Sequence, residues 1–494
     1  RVLDASCGSG TFLILLIKRL REYAERHHIE DILADCLLRR MTVVGFDLNP
    51  LAVLAARTNF LLNVADLLTY IKGPIELPIY LCDSLFIEAR TTLTGVSYVI
   101  RTHVGEFELP KSVVERGLLS RLLEIIEKRL RIRDTPNEFT RFVRDQLRLE
   151  ENDLQVVRKL YEAFLKLEEE GKNHVWISII KNAFAPLTIP ESYGKFDYVI
   201  GNPPWVLWDN LPKDYRDMTK RLWQEYGLFT LSGLEARHGG GKKDISILFT
   251  YVCLDRYLKS GGVFGFLITQ SVFKTKKAGE GFRRFHARTT PVKVLKVHDL
   301  VEIRPFEGAN NRTAMIILKK GEKTQYPVYY VLWKKKEVIE QSDSLDVALL
   351  KSRRIDMAAF PSDKQNRLSP WITLPMGAIT AIEKIRGKNR YRAYAGINSG
   401  GANAVYWLNI LGIRDEVDVK IDVPLHLRKI FGETIDKIRY LIVENITTGM
   451  QRKAGKVQAV IEDFFVFPML KTKHIDRLSL IHISEPTRPR LISY

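Results

Sequence analysis

The chain has 494 residues, 46% of them hydrophobic and 10% aromatic, which is too long for one ordinary domain and apolar enough for two or three buried cores. No run of about 18 or more apolar residues occurs, which excludes a helical membrane span. Lys and Arg number 76 against 58 Asp and Glu, a formal net charge of +18; each neutralised phosphate releases a counterion, so this excess favours nucleic acid over a ribosomal or anionic membrane surface. The four cysteines, Cys7, Cys36, Cys82 and Cys253, form no CxxC pair. That argues against a zinc knuckle or a disulfide framework and for a reducing cytoplasm.

The chain opens at Arg1 without an initiator Met and enters a motif almost at once, which predicts further chain upstream. Val2-Leu3-Asp4 ends a strand, and residues 11–26 carry apolar positions at helical spacing. Between them stands Asp4-Ala5-Ser6-Cys7-Gly8-Ser9-Gly10. Glycines there let the backbone approach a ligand, and the helix behind offers free N–H groups. The run is neither GxGxxG nor a P-loop, and a tight strand–helix turn without a ligand is the plain alternative. Residues 42–46 form a second strand ending at Asp47-Leu48, with Asn49-Pro50 opening a helix to about residue 62. A carboxylate at that place accepts from ribose hydroxyls, or else serves the helix dipole. Residues 79–82 form a third strand ending at Asp83-Ser84, where Asp83 is placed to accept from an adenine amine.

From about 86 to 192 the pattern becomes a charged helical insertion, with helices over 116–131 and 139–170. Strand signal returns at 196–200, followed directly by Gly201-Asn202-Pro203-Pro204-Trp205. Two consecutive prolines remove two backbone donors and stiffen the turn. The Asn202 side-chain oxygen and the Pro203 carbonyl remain as fixed acceptors beside the flat face of Trp205, a set that suits a planar ring bearing an NH2 group. Strands at 263–268, 292–297 and 314–318 complete the sheet, the last two antiparallel. The strand–helix alternation predicts an α/β, doubly wound, Rossmann-like domain over 1–320. Beyond 321 the alternation dissolves, predicting a second, mixed α/β domain over 321–477. Residues 478–488, LSLIHISEPTR, resemble the conceptual translation of a sequencing adaptor, so 478–494 are expected not to be native.

Taken in order, these motifs resemble the gamma class of amino-methyltransferases, and within it the adenine-specific methylases of type II G restriction–modification enzymes and related phage-defence methylases. The likeness covers residues 1 to about 320. It implies S-adenosyl-L-methionine as cofactor, held by Asp4, Ala5, Cys7, Gly8, Ser9, Gly10, Asp47, Leu48, Asp83, Ser84 and Asn202. It implies Asn202, Pro203, Pro204 and Trp205 as the catalytic residues, with no metal. The substrate it implies is double-stranded DNA methylated at adenine N6, with 321–477 as target-recognition domain and a nuclease upstream in the native chain. Gly396 to Asn403, Ile461-Glu462 and Phe467 to Leu470 look like recognition-domain signatures of the family. Another cofactor-binding motif of this class precedes the first strand and is missing here, so the fragment is expected to be inactive by itself. N4-cytosine DNA, RNA or protein-glutamine methylation, or a non-catalytic cofactor-binding subunit of a defence complex, stay open as alternatives. His238 to Asp244 reads either as a DNA-contacting loop or as a solvated one. Asp418-Val419-Lys420 resembles the tail of a nuclease site but lacks an identifiable partner acid.

Overall fold

β1 (Val2–Asp4) leads into α1 (Thr11–His27), α2 (Glu30–Leu38) into β2 (Val43–Asp47), and α3 (Pro50–Val64) towards β3 (Ile79–Leu81). The turn chemistry read in the sequence builds α3: the Asn49 side chain accepts from the N–H groups of Leu51 and Ala52, with Pro50 in the first turn. The computed structural model describes residues 1–466 apart from 86–87, 93–94, 103, 173–174, 230–242, 307–310, 341, 386–405, 426–427, 429–431 and 447–454.

The segment expected to be a purely helical insertion begins instead with a three-stranded antiparallel sheet, β4 (Glu88–Thr92), β5 (Gly95–Thr102) and β6 (Gly105–Pro110). Its outer face is a ladder of cross-strand ion pairs, Arg90 with Glu106 and Glu108, and Arg101 with Glu88 and Glu106. Those charges hide the strand signal in a composition that reads as helical. Helices α4 (Lys111–Glu115), α5 (Leu119–Arg131), α6 (Pro136–Leu147) and α7 (Glu151–Glu169) follow. Thr135 and Glu138 form a reciprocal capping box at the start of α6. With Phe107 and Leu109 from β6 these helices bury a core of their own. The closing helix, α8 (Trp176–Tyr193), belongs to two cores: Ile180 and Phe184 face the insertion, Ala185 and Ile189 the central sheet.

The chain then returns to the sheet as β7 (Phe196–Gly201), α9 (Lys213–Glu225), the almost wholly buried α10 (Ser246–Arg256) and β8 (Leu258–Thr269). β9 (His286–Ala287), β10 (Thr290–Asp299), β11 (Thr313–Lys320), β12 (Val328–Lys335), β13 (Ser352–Pro361) and β14 (Trp371–Pro375) complete it. The strand order is β3-β2-β1-β7-β8-β11-β10-β12-β13-β14, parallel from β3 to β8, with β11 antiparallel to both its neighbours. Helices α1 to α3 cover one face, and α10 and its surroundings the other. This is the doubly wound α/β class expected from the alternation.

The domain boundary expected at 321 lies elsewhere. β12 pairs in parallel with β10, and β13 and β14 extend the same sheet, so the first compact unit is Arg1–Arg386. Most of this extension is antiparallel and needs no intervening helices, so helix–strand alternation stops while the sheet continues. The second unit, Gly387–Tyr494, contains an antiparallel sheet of β15 (Leu408–Asp422), β16 (Thr434–Asn445) and β17 (Gln458–Glu462). The expected signature at 396–403, that at 467–470, and the segment 478–494 fall outside the described residues.

A chain ended after Lys320 would strip β12 from β10, along with the Tyr330 hydroxyl bonded to buried Asp299 and the Trp371 ring stacked on Phe273. It is expected to aggregate or melt without cooperativity. A chain ended at Arg386 should elute as a folded species with a sharp transition, a contrast that size-exclusion chromatography and circular dichroism melts will read.

Candidate active site

The carboxyl ends of the parallel strands carry the singled-out motifs, with β1 between β2 and β7 at the point where the strand order reverses. Crevices of this kind are where open α/β sheets bind ligands. Register brings Asp4 level with Gly45 of β2 and Ile200 of β7. The next residue of β7, Gly201, has φ +152°, and a Cβ there would lie 2.6 Å from Asp4 Oδ1. Only glycine lets the strand that leads into Asn202 lie this close to the first loop.

That loop is tied at several points. Gly10 donates to the Cys7 carbonyl at 2.8 Å, and Cys7 N–H to the Phe46 carbonyl at 2.9 Å. Gly8 donates its N–H to Asp47 Oδ2 at 2.8 Å, while Asp47 Oδ1 accepts from Asn49 N–H at the same distance. Asp47 therefore shapes the loop with both oxygens and retains lone pairs for a ligand. The Ser84 hydroxyl donates to the Ala5 carbonyl and joins the third motif to the first. Asp83 Oδ1 accepts from Leu85 N–H at 2.8 Å and from the Tyr215 hydroxyl at 3.4 Å.

Between these groups lies a cavity of about 630 Å³. Of the residues expected to hold cofactor, Ala5, Asp47, Leu48, Asp83, Ser84 and Asn202 line it, and Pro204, expected to be catalytic, joins them. Asp4, Cys7, Gly8, Ser9 and Gly10 frame the loop behind the lining. Pro203 is buried under the turn. Trp205 stands aside from the cavity, its indole N–H donating to the Leu267 carbonyl of β8 at 3.3 Å and its ring edge-on to Phe306 at 5.5 Å. Burial pushes the Cys7 and Cys82 thiols well above their ordinary range, in keeping with packing roles.

Two polar atoms in this corner are buried and lack a hydrogen-bond partner among the described residues, Asn202 Oδ1 and Asp4 Oδ2. An orphaned buried acceptor costs about 1–3 kcal/mol. Asn202, a lining residue, is placed to recover that cost on a ligand that donates. Asp4 has no exposure, and burial raises its carboxyl from the usual 3.8 to about 7, the Ser6 N–H opposing this and the Asp47 charge adding to it.

Several residues of the site were not singled out as site residues in the sequence, although Asp244 to Phe273 as a stretch resembles later motifs of the family. Ile245 and Phe249, at the start of α10, supply apolar wall, and Tyr215 arrives on α9. Asp244 anchors the strip after Trp205. Its carboxylate accepts from Ser246 and from the Thr269 hydroxyl at 2.8 Å, while backbone bonds of 2.8 and 2.9 Å join 206–208 to 243–245. Its Asp-x-Ser spacing before an apolar helix is the one cue that would have found it. Lys243 is also buried, donating to the Leu228 carbonyl, and desolvation lowers it to about 8. Lys243 and Asp244 are thus structural, correcting the view of 238–244 as an open loop; 238–242 lie outside the described residues. Asp418 lies on β15, its side chain 90% exposed and 3.9 Å from Lys437. Among the described residues no group of three or more His, Cys, Asp or Glu is placed to hold a metal, and no helix is long and apolar enough to cross a membrane.

Against known proteins, the profile of the Eco57I restriction-modification methylase matches residues 42–306. No curated protein matches the chain. Among solved structures, a nuclease-deletion mutant of the Type ISP restriction-modification enzyme LlaGI, in complex with a DNA substrate mimic, is similar at 14% identity and TM-score 0.40, over 74% of this chain and 24% of that one. The M protein of the Type I restriction enzyme EcoKI is similar at 12% identity and TM-score 0.34, over 78% and 60%. A modification subunit of a putative type I restriction enzyme from Vibrio vulnificus YJ016 is similar at 10% identity and TM-score 0.33, over 78% and 57%. The chain thus spans less than two thirds of each of these proteins.

Because the Asp4 carboxyl is raised on folding, its contribution to stability is full below about pH 4 and is lost as pH rises through about 7. Asp4→Asn keeps the Ser6 contact and removes the titration. Without added ligand, the variant is expected to melt above the parent at about pH 8, the gap closing towards about pH 4. A gap independent of pH would show that the buried carboxyl does not titrate in this window.

Proposed function

Since the chain belongs to the Eco57I restriction-modification methylase family, we propose that it moves a methyl group from S-adenosyl-L-methionine to the N6 amine of adenine in double-stranded DNA. The observation that carries this reading is the buried, unpartnered Asn202 Oδ1 on the wall of the cavity. The lining fits the cofactor: the carboxylates of Asp47 and Asp83 suit hydroxyl and amine donors, and Leu48, Ile245 and Phe249 suit a flat apolar ring. When bound, the cofactor would supply an electrophilic methyl on a sulfonium, whose sulfur leaves as a neutral thioether as the S–C bond gives way to the new N–C bond.

An adenine amine cannot be reached inside the base stack, so the target base is flipped out. Asn202 Oδ1 and the Pro203 carbonyl accept its two hydrogens, which draws the nitrogen towards sp3 character and frees its lone pair for in-line attack. One N–H proton leaves to solvent once the new N–C bond has formed. Trp205, fixed by Leu267 and Phe306, offers a ring against which the flipped base stacks. Catalysis is then mainly orientation and electrostatics. The net charge of +18 supports a polyanionic substrate, and a reducing cytoplasm suits four free cysteines.

Digesting DNA from a methylation-free bacterial host that expresses the complete gene, and analysing the nucleosides by mass spectrometry, tests the reading. N6-methyladenine is expected, and Asn202→Ala should cut turnover by about 10²- to 10³-fold, the cost of removing one preorganised polar contact to the reacting group. Cofactor binding by calorimetry should persist in the variant. N4-methylcytosine would move the target to the other exocyclic amine. Neither product, from a protein that binds the cofactor, would overturn DNA as the substrate.

A further inference from the structure

A second cavity of about 370 Å³ lies far from the catalytic one. Arg283, Arg284, His286, Lys323 and Arg367 line it together with Tyr326, and no carboxylate does. It sits where β10 begins and the chain leaves β11, at the amino ends of the parallel strands. The catalytic motifs occupy the carboxyl ends. β8 and β11 pair from Val263–Lys319 to Thr269–Thr313, so the two ends of this strand pair lie about 20 Å apart at roughly 3.3 Å per residue.

The charges here are not consumed by the fold in the usual way. Arg283 is only 1% exposed, yet its guanidinium meets carbonyls alone, those of Leu368, Val272 and Thr275 at 2.6–2.9 Å. Carbonyl dipoles satisfy its N–H groups without cancelling its charge. Glu280 is near enough for its field to reach Arg283 but does not line the cavity. Arg284, Lys323 and Arg367 are exposed, and none has an ion-pair partner among the described residues. The carboxylate next along the chain, Glu322, does not line the cavity and is already engaged by Lys293 and Lys319. Like charges gathered in a concavity without counter-charge repel one another, and an anion relieves that repulsion. Beside them, Tyr326 and Arg367 also border a neighbouring cavity of about 320 Å³ with the apolar groups Pro327 and Phe360. A phosphate cluster followed by a flat ring matches this sequence of surfaces.

We propose that this cavity binds the phosphate groups of a small phosphorylated ligand of the nucleoside diphosphate class, at a site separate from the catalytic cavity. Its distance from the carboxyl ends of the strands keeps it clear of a base presented to Asn202. Guanidinium forks at Arg284 and Arg367 suit bidentate contact to phosphate oxygens.

The test is calorimetric titration of the full chain with inorganic pyrophosphate and with ADP, alongside thermal melts in each. The variant for comparison is Lys323→Ala combined with Arg367→Ala, both positions being exposed and unpaired; Arg284→Gln gives a second, milder change. Saturable binding with a raised Tm is expected for the parent, weakened at least about tenfold, or 1.4 kcal/mol, in the double variant. S-adenosyl-L-methionine binding should be the same in both, which separates this site from the catalytic one. No saturable binding of either probe, or equal binding by parent and variant, would overturn the proposal. So would a duplex oligonucleotide that loses affinity in the variant while pyrophosphate has no effect, since the cluster would then serve a nucleic-acid backbone.

Discussion

The site depends on how closely β1 and β7 lie at their carboxyl ends. Residues about 200 apart in the chain meet because Asp4 and Ile200 are level in a parallel pair, and because Gly201 has no Cβ to hold Asp4 away. One strand ends in the loop that frames the cavity, the other in the turn that presents Asn202. A methyl or larger side chain at 201 would fall 2.6 Å from Asp4 Oδ1, so the two ends would have to part to admit it. Positioning chemistry tolerates little of that, since rates fall steeply when reacting groups are displaced by about 1 Å.

The same closeness explains the polar atoms that the fold leaves without partners. Native interiors satisfy almost all buried donors and acceptors. Here, among the described residues, Asp4 Oδ2 and Asn202 Oδ1 stand unmatched in one corner, while nearby acceptors such as the Ala5 carbonyl and Asp244 are engaged. The engaged groups give rigidity: Ser84 ties loop to loop, and Asp244 ties the strip beyond Trp205 to β8 and to the start of α10. Stability is thus supplied around the corner rather than in it, as expected where a site is preorganised for a ligand.

Local chemistry made much of this legible in the sequence. Asn49-Pro50 announced a helix start, the β-branched runs announced strands, and the Asn-Pro-Pro-Trp turn announced two acceptors beside a ring. What stayed hidden was chemistry assembled from distant segments. Tyr215, Ile245 and Phe249 look like ordinary helix residues until α9 and α10 fold over the strand ends. β4 to β6 escaped because ion pairs between strands resemble the charge pattern of a surface helix. The limit of the first unit escaped because β12 to β14 continue the sheet without helical punctuation. Even Trp205, plain in its motif, turned out to stand outside the cavity, a placement set by the Leu267 carbonyl and Phe306 rather than by its neighbours in sequence.

α8 leaves the residues from β4 to α7 without the independence of a grafted cassette. Its first half closes the insertion's core, and its second half is the crossover that delivers the chain to β7. Asn182 on this helix accepts from Leu81 N–H at 3.2 Å and from Arg57 at 2.9 Å, and Lys181 pairs with Glu76. An exchange of this insertion between relatives would have to cut within a continuous helix whose two halves answer to different neighbours. A displacement of the insertion would therefore pass along one helix, interrupted in its second half by Pro186 and Pro190, to the strand that leads into Asn202.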